Sequence, residues 1–257
     1  MDVRFKQQFL ELWEKYFPGA ELPIAYYYTN DRGWEERAKS AAVTQCVVDA
    51  LDAVRAGGTL ALDVETTQCG GGKRYLGFAQ KLRPDFEYFL STGIPGKLEG
   101  ERYKKSPQLV MEQLRRLPTF EAPGKFIVFK RWDMLDLDEE PLAVIFFAPP
   151  DVLSGLFSLA NYDQPDANTV IVPSASGCAS MVYYSYLESK SDHPRAVLGM
   201  FDVSARPCIA PDHLTFSVPM ARFADMVENM DGSFLALPSW GKVRARIKAS
   251  RPGHLLL

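Results

Sequence analysis

Cys46, Cys69, Cys178 and Cys208 are the residues of this 257-residue chain best suited to chemistry, and they stand 23, 109 and 30 residues apart. No CxxC pair occurs, so the local zinc-finger and thioredoxin signatures are absent. Their settings are more informative than their spacing. Cys69 follows the strand-like run TLALDV and is followed by Gly70-Gly71-Gly72-Lys73-Arg74, whereas Cys178 follows Ser176-Gly177 and opens an apolar helical run through Met181 and Val182. Each reads as a turn just beyond a strand's C-terminal end, where open α/β sheets bind ligands. A thiol at a helix start faces unpaired amides and partial positive charge, which favours the thiolate. The expectation is therefore a depressed pKa for Cys178 and faster alkylation than at Cys46. The three glycines could also turn their amides towards one point as an anion-binding nest, with positive φ at Gly71 or Gly72 and charge from Lys73 and Arg74.

Such a site suits a thiolate, a phosphate or a soft metal. Thiolates select zinc or an iron–sulfur cluster over hard cations. The leading expectation is a thiophilic centre on Cys69 and Cys178, completed by Cys46 or Cys208 and framed by Gly70, Gly71, Gly72, Lys73, Ser176 and Gly177. Two other classes stand beside it. One is a metal-free binding module or enzyme for an anionic small molecule, held by the glycine amides, Lys73, Arg74 and Arg206. The other is a structural or interaction protein whose cysteines pack in turns. Cys46, among Ala42, Val43, Val47 and Ala50, reads as a small mid-helix core residue; Cys208, in ARPCIAP, reads as a free or packed thiol.

Other chemistry is thin. Thr67 stands where a P-loop needs its first glycine and Arg74 where it needs Ser or Thr, and GxGxxG, HExxH and GxSxG are absent. His193, His213 and His254 fall in loop or tail contexts, with His213 the best candidate for a cysteine–histidine pair. Asp63 and Glu65 flank the first cysteine loop as acid/base groups or, more commonly for such positions, a strand-end ion pair. Arg206 is expected to pair with Asp202. No reaction follows from these residues, and whether the chain is an enzyme stays open.

Hydrophobic residues make up 47% and charged residues 24%, the balance of a soluble globular protein. A net charge of −3 gives no nucleic-acid footprint. No run approaches the roughly 20 apolar residues of a membrane span. MDVRFKQQFLELWEKYF also lacks a signal-peptide core, so a cytoplasmic location is expected. In that reducing setting the thiols are expected to be free, buried or metal-bound rather than disulfide-linked. The partner class is a metal or small-molecule ligand, with oligomeric state open.

The elements that must position these residues alternate. Helix-like spacing covers 3–17, 34–56, 106–116, 150–162, 178–189 and 220–230, with a short fraying helix after Ser233. Strand-like runs cover 23–29, 59–64, 125–132, 141–148, 168–174, 195–201 and 214–219. This alternation predicts an α/β or mixed α+β fold, a layered mixed sheet with flanking helices. No linker composition divides residues 1–257, so one domain is expected. A strand, helix, strand, cysteine turn and helix occur in both halves, suggesting an internal pseudo-two-fold repeat over about 20–120 and 121–232.

CVVDALDAVRAGGTLALDVETTQCGGGKRYLGF, SGCASMVY and LGMFDVSARPCIAPDHLTFSVP resemble domain-of-unknown-function family 169, found in bacteria and archaea. The resemblance runs from about Leu22 to Met230. Its most distinctive pieces are Cys-x-Gly-Gly with Leu-Gly-Phe, at Cys69, Gly71, Gly72, Leu76, Gly77 and Phe78, and the Ser-Gly-Cys turn at Ser176, Gly177 and Cys178. Many relatives carry a further cysteine where this chain has Met200, so a four-cysteine set here would need Cys208 as a substitute. The resemblance implies a shared fold and a shared cysteine-centred site, and no reaction.

Overall fold

The computed structural model describes residues 2–40 and 46–250. Its strands are β1 (Ile24–Thr29), β2 (Thr59–Leu62), β3 (Phe126–Arg131), β4 (Ala143–Ala148), β5 (Val170–Ile171), β6 (Ala196–Gly199) and β7 (Leu214–Pro219). Its helices are α1 (Val3–Tyr16), α2 (Glu35–Ser40), α3 (Val47–Arg55), α4 (Gly70–Tyr75), α5 (Phe86–Phe89), α6 (Pro107–Arg116), α7 (Pro150–Ala160), α8 (Tyr184–Glu188), α9 (Met220–Asn229) and α10 (Pro238–Ala249). A π-helical turn, Ala179–Tyr183, leads directly into α8.

The fold is mixed α/β, as the alternation predicts. The strands form one open sheet in the order β2-β3-β1-β4-β7-β6-β5, antiparallel throughout except for β5 beside β6. Because side chains alternate across a strand, consecutive residues serve different layers. Ala25 and Tyr27 join Phe9, Trp13, Phe146, Phe216, Phe223 and Trp240 in a core beneath α1, α7, α9 and α10. Ile24 and Tyr26 join Leu60, Leu62, Ile127, Phe129 and Ile145 on the opposite face, covered by Val47, Val48, Leu51 and Val54 of α3 and by Leu76, Met181 and Met200. Cys46 and Cys208 pack against this second core. Two of the four cysteines therefore share one face of the sheet.

Three expectations change. The helix read over 34–56 is not continuous: α2 ends at Ser40, 41–45 lie outside the described residues, and α3 begins only after Cys46, whose backbone is extended at φ −85° and ψ 134°. Cys46 is thus a helix N-cap and not a mid-helix residue. The strand read over 168–174 is reduced to two residues. The tail helix does not fray over its described length. Trp240 and Ile247, two turns apart, are buried, and the Trp240 indole donates to the Tyr16 carbonyl at 2.9 Å. As for the two-unit reading, β1 and β4 pair at the sheet's centre with β3 and β7 flanking them and β2 and β6 outside those, but β5 has no counterpart, and β3 lies within 121–232 rather than 20–120. The strand order is symmetric near its middle and unequal at its ends, and it does not establish a repeat.

Candidate functional site

Asp63 builds the first cysteine turn. Its carboxylate Oδ1 accepts from the Glu65 and Thr66 amides at 3.0 and 2.9 Å and from the Thr66 hydroxyl at 2.8 Å, while its carbonyl accepts from the Thr67 hydroxyl at 2.8 Å. Asp63 is buried, shapes the turn through these bonds and forms no ion pair among the described residues; Glu65 is exposed. Cys69 then caps α4, its Sγ accepting from the Gly72 amide at 3.4 Å. Gly70, Gly71 and Gly72 wind into that helix, and neither Gly71 nor Gly72 has positive φ. The expected nest is therefore absent: the amides follow the helix axis instead of converging. Gly72 is small for a different reason, since a Cβ there would stand 2.8 Å from a Val47 methyl. Arg74 donates to the Gln80 carbonyl at 2.7 Å, which commits that cation to its own loop.

The second turn is fixed from across the site. Asp202 accepts the Gly177 amide at 3.1 Å, and its carbonyl accepts the amides of Ala205 and Arg206 at 3.1 and 3.0 Å. One residue therefore holds both the Cys178 turn and the turn that carries Cys208. Gly177 is wedged among three segments. A Cβ there would lie 2.7 Å from the Met200 sulfur, 3.0 Å from a Val48 methyl and 3.2 Å from the Ala205 Cβ. Met200 is buried with φ at +67°, a left-handed conformation uncommon outside glycine, asparagine and aspartate. The position where the family resemblance places a further cysteine thus sets a soft thioether sulfur beside the Cys178 turn.

Cys178 is buried, and its Sγ lies 3.5 Å from the Ser176 hydroxyl. Burial pushes its thiol up from 9.0 to about 12; Ser176 opposes this, while Cys69, Cys46 and Asp202 add to it. The expected depression is reversed because loss of water penalises the thiolate more than a helix start rewards it. The benefit from the helix is small here, because the chain leaves Cys178 through a π-helical turn followed by the five residues of α8. Cys208 closes the 3₁₀ turn Arg206–Cys208. Its thiol is raised to about 11, first by burial and then by the charge and hydrogen bond of Cys46. Arg206 does not pair with Asp202; it donates to the carbonyls of Pro211 and His213 at 2.7 and 2.5 Å, tying off the loop before β7. The His213 ring meets Asp212 at 2.8 Å, not a cysteine, and His254 lies outside the described residues.

The four cysteines come from four segments, and they do not form a cluster among the described residues. Cys178 senses Cys69 and Cys46, and Cys208 senses Cys46. Pairwise proximity is not yet a metal site. Among the described residues, no three Cys, His, Asp or Glu side chains stand together closely enough to hold a metal ion. Sequence reasoning missed Asp202 as the clamp and Tyr75 as a wall. Tyr75 is raised by burial and then by Cys178, and its ring meets Tyr183 at 5.8 Å. Neither carries a local signal, since each acts on a turn distant in sequence. Lys104 and Arg116 border a separate open cavity of about 330 Å³ with Ser174 and Tyr184, and no cysteine lines it.

The sequence model of DUF169, described as uncharacterised ArCR, matches residues 20–229, so the chain belongs to that family. No curated protein and no solved structure matches it. No helix among the described residues is long and apolar enough to cross a membrane.

Proposed function

We propose that this member of the DUF169 family binds a thiophilic centre, zinc or an iron–sulfur cluster, through Cys69 and Cys178 with Cys46 or Cys208 completing the set. The observation that carries the reading is the setting of Cys178, a buried thiol whose turn is crowded by the Met200 sulfur and whose ionisation is disfavoured first by burial and then by Cys69 and Cys46. Burial without a cation disfavours a thiolate, and a bound cation reverses that logic by stabilising it. No three candidate ligands among the described residues stand at metal-holding distance, so binding requires the thiols to be drawn together onto metal–sulfur bonds of about 2.3 Å. The Met200 sulfur adds a soft donor beside the same turn. An iron–sulfur cluster would supply electron transfer or radical chemistry, and zinc a structural tie among α3, α4 and the Cys178 turn.

The anionic small-molecule reading loses its main support with the nest. The test of the metal reading is elemental analysis and a visible spectrum on protein purified without oxygen, repeated for Cys178→Ser. A brown or zinc-loaded protein that loses its metal in the variant supports the proposal. A protein that takes up neither iron, zinc nor cobalt on reconstitution overturns it and leaves packed thiols.

A further inference from the structure

The cavity bordered by Lys104 and Arg116 is built by segments other than the cysteine turns. Leu109, Glu112, Gln113 and Arg116 of α6 line it together. Their spacing is that of one stripe along a helix, and Val110 is the buried residue of α6, so this stripe faces the cavity rather than a core. Across from it stand Pro173 and Ser174, just beyond the C-terminal end of β5, and Tyr184, where the π-helical turn passes into α8. β5 runs parallel to its neighbour, and open α/β sheets take their ligands outside the carboxyl ends of such strands. The Gln113 amide donates to the Ser174 carbonyl at 3.4 Å and bridges the two walls.

The lining divides by chemistry. Leu109, Leu117 and Pro173 are apolar, while Lys104 and Arg116 are cations that form no ion pair among the described residues. The Tyr184 hydroxyl likewise has no hydrogen-bond partner among them. Glu112 contributes one carboxylate against the two cations, which leaves one net positive charge. A single negative charge matches that balance, whereas a second would be opposed by Glu112. The volume of about 330 Å³ is near the lower end of the range for small-molecule sites, roughly 300–1,000 Å³.

We infer that this cavity binds a small organic monocarboxylate with an apolar body. Arg116 and Lys104 take the carboxylate, Arg116 through a planar fork that matches its two oxygens. Tyr184 donates its hydroxyl, and Leu109, Leu117 and Pro173 cover the hydrocarbon. The site is neither the glycine loop nor the cysteine turns, and it needs no metal.

The test titrates the isotope-labelled full chain with sodium benzoate at low ionic strength and follows the amide chemical shifts. Benzyl alcohol, with the ring but no charge, and inorganic phosphate, with charge but no ring, are run in parallel. Benzoate should shift the amides around Lys104, α6, Ser174 and Tyr184 along one saturable curve, and neither control should do so. Losing one charged contact in Arg116→Ala or Lys104→Ala should weaken benzoate about tenfold. Glu112→Gln should tighten it roughly twofold by removing the opposing carboxylate. No saturable shift with benzoate, shifts confined to other surfaces, or an affinity unchanged in both cation variants overturns the inference. Phosphate bound in preference to benzoate overturns the monocarboxylate class. Metal content has no part in these outcomes, so this inference and the thiophilic reading fail separately.

Discussion

Cys178 should be close to inert towards alkylation at neutral pH in the folded, metal-free protein. Its thiol is pushed from 9.0 to about 12, chiefly by burial. Three units correspond to roughly a thousandfold smaller thiolate fraction, or about 4 kcal/mol at ~1.4 kcal/mol per unit. The assay is timed iodoacetamide labelling of chelated protein from neutral to alkaline pH, read peptide by peptide, with urea-unfolded protein as the reference. Cys178 should label roughly a thousandfold more slowly in the folded chain, where the thiolate is the reacting species. Linkage gives the same quantity a second readout. Above pH 9 the unfolded chain releases this proton first, so it binds fewer protons than the folded chain and stability falls as pH rises. The contribution of Cys178 is fully present below about 9 and is lost progressively towards 12. Cys178→Ser should flatten that part of the pH–stability curve. Rapid folded-state labelling of Cys178 at neutral pH would refute the reasoning and restore the helix-start argument.

Other substitutions probe the supports. Gly177→Ala places a Cβ within 3.0 Å of Val48 and 2.7 Å of the Met200 sulfur; the overpacking should cost ~1–3 kcal/mol in urea unfolding, and an unchanged midpoint would show that the three segments part easily. Asp202→Ala removes the acceptor of the Gly177 amide, so amide hydrogen exchange at Gly177 should accelerate, and unchanged protection would mean that another group holds the turn. Thr215 is fully buried with an unpartnered hydroxyl beneath the same face; Thr215→Val should be neutral or stabilising by up to ~1 kcal/mol, whereas clear destabilisation would reveal a hydrogen-bond partner such as internal water. Trp240→Ala should cost about 3–5 kcal/mol because it removes the docking residue of α10; a loss below ~1 kcal/mol would show that the helix contributes little to the core.

Much of the scaffold is legible locally. Ser106-Pro107 announces α6, and Ser106 does accept the Leu109 amide, at 3.4 Å. The aromatic run Tyr26, Tyr27 and Tyr28 alternates faces on the strand read over 23–29, and these residues do divide between the sheet's two layers. The two cysteine turns are readable for the same reason: caps, glycines and apolar periods act within three or four residues. What sits around each thiol was not readable. Cys46 stands at the N-cap of α3, the glycines after Cys69 are helical and packed on Val47, and Asp202 clamps a turn 25 residues away in sequence. The direction of the Cys178 shift followed the same division. A helix start is a local feature and argues for a thiolate, but desolvation is summed over every atom that excludes water, and the adjoining Gly177 is crowded by Val48 of α3, Met200 and Ala205. Only the tertiary structure brings them together, and burial then outweighs the local field.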